Sequence, residues 1–363
     1  MQNNLQIVTL SKRWNHHTKS GGYDRLKEEI DSINIHPIQK KNYFFSEDIR
    51  RKVLRRIMPS VQNANRYSLK DLAAEIRAII TIKKCNADVL HALYGEDQLN
   101  ILLKYRNRVH CAMVATYHLP VESYFMKHIV ENNVYKKLSV LDAVVVMSNS
   151  MISDYENWVG KGKVFFIPHG IDTDTFFPKK IKQIRYGHSL QVLTVGGHGR
   201  DWETLRKIVH YFRNNKDVHF RAVSHPKVQK MFNNEPNMKV LTGISEQELI
   251  EEYRSADVVF LPVSFATANN SLLEALACGT PVISTDTGGI PDYLDSECGW
   301  LLPPSDVRSA VHLIENLIEQ RDLIRNKSDD SRKKALQYDW REITKQTKQV
   351  YRFAVNYRKS QKF

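Results

Sequence analysis

Short apolar, β-branched runs alternate with helix-like stretches along this 363-residue chain, and that alternation limits its fold more than any other property. Runs of four to six such residues are too short for buried helices and suit strands covered on both faces. Neighbouring parallel strands need long connections, which the intervening helical patterns supply. Strands are expected at 5–10, 88–93, 111–116, 143–147 and 164–167. The segment Pro168-His-Gly-Ile-Asp-Thr-Asp-Thr-Phe-Phe-Pro178 then breaks the pattern with two prolines and a glycine. Alternation restarts with strands at 191–195, 218–223, 239–241, 258–261 and 281–284 and helices opening at Trp202 and Glu246. The expected fold is α/β, with two Rossmann-like, doubly wound domains facing across a cleft. The first spans 1–172 and the second 173–340. A final helix over about 341–363, with Trp340, Tyr351, Phe353 and Tyr357 in or beside it, is expected to return to the first domain.

Composition excludes several classes. A hydrophobic content of 42% with mixed charge belongs to a globular protein. No apolar run approaches the roughly 18 residues of a spanning helix, and Met1-Gln-Asn-Asn lacks a signal-peptide core. Cys85, Cys111, Cys278 and Cys298 are far apart without a CxxC pair, which fits reduced thiols and a cytoplasmic location. No histidine pair has convincing metal-ligand spacing, His16-His17 included, so no metal is expected. The net charge of +13 is concentrated: residues 40–70 hold nine Lys or Arg against Glu47 and Asp48.

The most chemically suggestive stretch runs from Ser271 to Pro291 and reads as a helix, a stop at Gly279, a buried strand and a Gly-Gly turn. Glu274 is the single carboxylate on that helix, among Leu272, Leu273, Leu276 and Cys278. A lone ionised group in apolar company is costly unless something polar meets it, so a ligand is the natural candidate. A capping or salt-bridged Glu is the structural alternative. Asn269, Asn270 and Ser271 precede the helix and suit its N-cap.

The run Leu261-Pro-Val-Ser, Leu-Leu-Glu274-Ala-Leu-Ala-Cys-Gly-Thr-Pro-Val-Ile and Gly-Gly-Ile-Pro291 resembles the donor-binding segment of retaining, family-4-type glycosyltransferases (glycosyl transferases group 1) with the GT-B fold. Gly21-Gly22 resembles that family's N-terminal glycine loop, Ile167-Pro-His-Gly-Ile-Asp172 its interdomain segment, and Val195-Gly196 the opening of its second sheet.

The resemblance implies transfer of a sugar from a nucleotide-sugar to an acceptor hydroxyl, with retained anomeric configuration and no metal or other cofactor. Glu274 would hold the ribose hydroxyls, because a carboxylate accepts two hydrogen bonds from a vicinal diol. Backbone amides around Asn269, Asn270 and Ser271, with Gly196 and Gly197, would meet the donor diphosphate. Arg200 would neutralise the leaving phosphate. His118, following the 111–116 strand, would stabilise developing positive charge. Gly21, Gly22 and His91 would lie on the acceptor side, and His169 in the hinge would be structural. The acceptor would be a glycan, a lipid-linked group or a small molecule. Three features depart from the pattern: Ala266 stands where a second Glu contacts the donor sugar, Asn269 stands in place of the usual loop glycine, and Asp201 and Trp202 stand where a lysine accompanies the arginine. These departures keep two other readings open, a non-catalytic GT-B partner protein and a nucleotide-sugar epimerase.

The basic window has its own pattern. Residues 46–58 read as a helix with Ile49, Val53, Leu54, Ile57 and Met58 on one face and Arg50, Arg51, Lys52, Arg55 and Arg56 on the others. Such a helix suits an anionic membrane surface, giving a peripheral location on the inner face of the membrane. It equally suits a surface helix packed on the first domain. No recognised nucleic-acid module accompanies the charge, so nucleic acid is not an expected partner.

Overall fold

The computed structural model describes residues 5–13, 21–37, 67–123, 126, 134–179 and 188–361. Its chain divides into two compact units: one holds the elements up to Pro168 and those from Trp340 onward, the other His169–Asp339 together with Gly21.

The first unit is built on a parallel sheet of six strands in the order β2-β1-β3-β4-β5-β6. These are β1 (Ile7–Leu10), β2 (Ser32–Ile35), β3 (Val89–Ala92), β4 (Ala112–Tyr117), β5 (Ala143–Val146) and β6 (Val164–Phe166). The second is also parallel, in the order β12-β11-β10-β7-β8-β9. Its strands are β7 (Leu190–Val195), β8 (Val218–Val223), β9 (Met238–Leu241), β10 (Val258–Leu261), β11 (Val282–Thr285) and β12 (Gly299–Leu302). Every residue of β3, β4, β5, β10 and β11 is buried, as strands covered on both faces must be. The strand order reverses between β1 and β3 in one sheet and between β7 and β10 in the other. In open parallel sheets ligands gather beyond the carboxyl ends of the strands at such reversals.

Ten of the twelve strands fall where the apolar runs predict them, within two residues at each end. The two without a predicted counterpart, β2 and β12, both lie at sheet edges and are mostly half-buried. An edge strand covered less completely carries a weaker apolar signal than a central one.

The helix Trp340–Ser360 belongs to the first unit and packs on β3, β4 and β5. Tyr351 is completely buried and its hydroxyl lies 2.7 Å from His91 Nδ1. Phe353 meets Phe165 edge-on at 4.8 Å. In the helix Leu69–Cys85, Ser68 and Asp71 form a capping box. One turn further on, the buried Glu75 accepts from the amides of Asn100, Ile101 and Leu102 at 3.1, 2.8 and 3.0 Å. One helix thus supplies the anion that caps the next, Asn100–Lys104.

Candidate active site

In the second unit two loops meet at the strand-order reversal. Gly196–Arg200 follows β7, and residues 262–269 follow β10. They are joined by an antiparallel bridge between Arg200 and Val263 and by the amide of Ser264 donating to Gly199 O at 2.9 Å. Gly196 has φ +98°, and a Cβ there would stand 2.8 Å from Arg200 Nη2. Glycine therefore lets the chain turn directly beneath the guanidinium. Gly197 lies exposed beside it.

Arg200 is anchored by Nε donating to Val195 O at 2.8 Å, while Nη2 reaches Ser271 Oγ at 3.2 Å and Asn269 Oδ1 at 3.4 Å. Burial brings its guanidinium down to about 10, a fall restrained by nearby Tyr253 and Glu274. It remains a cation at neutral pH.

The helix Asn270–Ala277 starts at this point, with Asn269 as N-cap accepting from Leu272 N at 3.3 Å. Asn270 is exposed, whereas Asn269 and Ser271 are buried. One turn along, Glu274 is 8% exposed and has no ion pair among the described residues. Its Oε2 accepts from the Tyr253 hydroxyl at 2.7 Å. Burial pushes this carboxyl up to about 7, with Glu246 adding to the rise and Tyr253 and Arg200 opposing it. Neither capping nor ion pairing accounts for Glu274.

The sequence reading missed Tyr253. It lies on the helix Glu246–Ser255, is completely buried, and its tyrosine gives no polar signal in a one-dimensional pattern. Close to the same loops is Gly288, with φ +56°, where a Cβ would lie 2.3 Å from Ala266 O. Gly289 N donates to that carbonyl at 2.8 Å, so the Gly-Gly turn is fitted against the backbone of Ala266.

In the first unit, His118 follows β4 and its Nδ1 lies 3.0 Å from the buried Glu96 Oε1. Tyr94 stacks on the ring at 4.7 Å and Tyr23 meets it edge-on at 4.9 Å. Tyr23 directly follows the buried Gly22, so Gly22 and His118 share one sheet edge, whereas the half-buried Gly21 falls in the second unit. Asp24 is also buried there, with Arg13 at 2.9 Å and Lys27 at 3.2 Å.

His91 requires a correction. It is fully buried, with Nδ1 at 2.7 Å from Tyr351 and Nε2 at 2.8 Å from Thr116, and burial holds its ring down to about 3. Both ring nitrogens are spent inside the unit, which leaves no atom for an acceptor. His169 is buried within the second unit, its amide donating to the Tyr293 hydroxyl at 3.1 Å. The basic residues at 46–58 and the His16-His17 pair lie outside the described residues.

Known families match both halves of the chain. A model described as Glycosyltransferase Family 4 matches residues 35–175, and one described as Glycosyl transferases group 1 matches residues 176–320. A mannosyltransferase of Mycolicibacterium hassiacum, the MMP alpha-(1->4)-mannosyltransferase, is 23% identical over 57% of this chain and 52% of its own length. A D-inositol 3-phosphate glycosyltransferase of Saccharomonospora viridis is 33% identical over 30% of this chain and 26% of its own. The chain thus matches about half the length of the first relative and about a quarter of the second. Among solved structures, sucrose-phosphate synthase from Thermosynechococcus elongatus superposes with a TM-score of 0.72 at 20% identity, covering 96% of this chain and 98% of that one. HepE of Anabaena, in complex with UDP and glucose, gives 0.68 at 13% identity over 95% and 99%.

Proposed function

The chain belongs to the group 1 glycosyltransferases of the GT-B fold, and from that premise we propose that it transfers a hexose from a nucleotide-sugar to an acceptor hydroxyl with retention of configuration. The observation that carries this reading is the convergence of Arg200, the start of the Asn270–Ala277 helix and Glu274 at one strand-order reversal. A cation and a helix N-terminus suit a diphosphate, and a buried carboxylate one turn away suits the ribose diol. HepE complexes with UDP and with UDP-glucose support a nucleotide-sugar as donor.

In this reading Arg200 and the amides of the 269–271 turn stabilise the negative charge that grows on the leaving phosphate. That phosphate takes the proton of the incoming hydroxyl on the same face, so neither a dedicated base nor a metal has a part. His118 keeps its part in the chemistry: a ring tied at Nδ1 to the Glu96 carboxylate favours a nearby developing positive charge. Gly21 and Gly22 serve the acceptor side. The 46–58 segment serves as a contact to an anionic membrane face. Vesicles with and without anionic lipid, sedimented with wild type and an Arg50/Arg51/Arg55/Arg56→Glu variant, test that contact; equal sedimentation of the two proteins would refute it.

One observation favours a second reading, a binding protein that keeps the nucleotide site without transfer: Ala266 presents only a methyl group where the family resemblance calls for a carboxylate. Nucleoside diphosphate release, followed over a panel of nucleotide-sugars for wild type and Glu274→Ala, separates the two. Release by wild type that Glu274→Ala loses supports transfer. Calorimetric binding without release supports the second reading, and neither binding nor release would overturn both.

A further inference from the structure

Between the cation and the carboxylate of the nucleotide site stand two hydroxyls that no ligand role explains. Arg200 Nη2 donates to Ser271 Oγ at 3.2 Å, and the Tyr253 hydroxyl donates to Glu274 Oε2 at 2.7 Å. A guanidinium can only donate and an ionised carboxylate can only accept, whereas each hydroxyl has one proton to give. An ionised Glu274 therefore fixes the direction of its bond with Tyr253, whose proton points at the carboxylate. Tyr253 is completely buried, so water does not compete for its hydroxyl.

We propose that Tyr253 is a positioning residue whose buried hydroxyl, donating to Glu274 Oε2, keeps that carboxylate ionised and turned toward a nucleotide. The proposal rests on reading Glu274 as a nucleotide contact and adds to it the residue that sets its proton. Among the described residues Tyr253 is the one side chain donating to this carboxylate. The groups around it are few. The 246–255 helix offers Tyr253 and Glu246, and the loop after β7 offers Arg200. From the helix Asp322–Gln337, Arg332 caps Ala277 O at 2.9 Å. Cys278 ends the 270–277 helix, and β10 and β11 carry no charged residue.

The test follows the Glu274 carboxyl directly, by carbon-13 NMR from about pH 5 to about pH 9, with its signal identified by its loss in Glu274→Gln. Tyr253→Phe keeps the ring in its buried site and removes only the donor. Its expected effect is a midpoint raised by about one pH unit, whereas Ser271→Ala, which removes no donor to the carboxylate, should leave it within about 0.3 unit. An unmoved midpoint in a folded Tyr253→Phe variant would overturn the proposal, and a Ser271→Ala shift as large as that of Tyr253→Phe would overturn it too. Binding of UDP, GDP and ADP is read in the same proteins. Tyr253→Phe is expected to bind within roughly twofold of wild type near pH 9 and roughly tenfold more weakly near pH 6.5. A loss equal at both pH values would mark a packing role and would also overturn the proposal. Wild type and Glu274→Gln binding all three nucleotides equally, or not at all, would remove the nucleotide reading, while the carboxyl midpoint still decides whether Tyr253 sets its ionisation.

Discussion

Glu274 illustrates how a functional residue opposes the fold that holds it. Its carboxyl, ordinarily near 4.5, is raised to about 7 because burial disfavours the ion. A carboxyl raised in the folded state contributes its full stability below the unfolded value and loses it as pH climbs through the folded one. Wild type is therefore expected to lose stability between about pH 4.5 and about pH 7 on account of this group, by an amount on the order of 2–3 kcal/mol. Glu274→Gln keeps an oxygen for Tyr253 and has no such slope. Its melting temperature above pH 7 is expected to equal or exceed that of wild type, while its nucleotide affinity falls by about ten- to a hundredfold. A variant less stable than wild type at every pH would contradict this account. Glu274 was legible in the sequence because a carboxylate among leucines stands out. Tyr253 was not, since a tyrosine hydroxyl shows its use only when a distant helix meets it. His91 misled for the related reason that a histidine ending a strand looks the same whether its nitrogens face outward or, as here, Thr116 and Tyr351.

Among the elements, the Asn100–Lys104 helix depends on Glu75, a residue of another helix. Burial raises this carboxyl to about 7 as well, against the pull of three amides and Tyr67. Replacing it with glutamine turns one oxygen into a donor facing donors, so Glu75→Gln is expected to be less stable than wild type throughout. Since only wild type carries the loss due to Glu75 as pH rises through 7, the gap should narrow by about 2–3 kcal/mol between pH 5 and pH 8. Denaturant titrations at the two pH values check it, and a gap that widens would reject the assignment. The Gly-Gly turn makes a second prediction. Gly288→Ala must relieve a 2.3 Å approach to Ala266 O at a φ of +56°. It should destabilise the second unit by about 1–3 kcal/mol and disturb the loop carrying Ala266. At this scale the sequence was a good guide to central strands, whose residues are apolar throughout, and a poor one to β2 and β12. The capping of one helix by another was invisible to it, because 25 residues separate Glu75 from Asn100.

At the scale of the molecule, the alternation of apolar runs and its interruption at 168–178 announced two sheets, and two sheets of six strands are present. The returning helix was legible from its aromatics, although its polar tie to the first sheet was not. Tyr351→Phe should leave His91 Nδ1 without its hydrogen bond and lower the stability of the first unit by about 1–3 kcal/mol. The measurement is thermal unfolding followed in the first unit, and no loss would show that the hydrogen bond is dispensable. The attachment of Trp340–Ser360 to the first unit has a further consequence for the chain as it emerges from a ribosome. The strands of the first unit are made early, yet the helix that covers β3, β4 and β5 follows about 170 residues after Pro168. At roughly 5–20 residues per second, that is a wait of some 10–30 s during which one face of the sheet lacks its cover. The second unit, made later, has all of its own residues first, so the order of completion is the reverse of the order of synthesis.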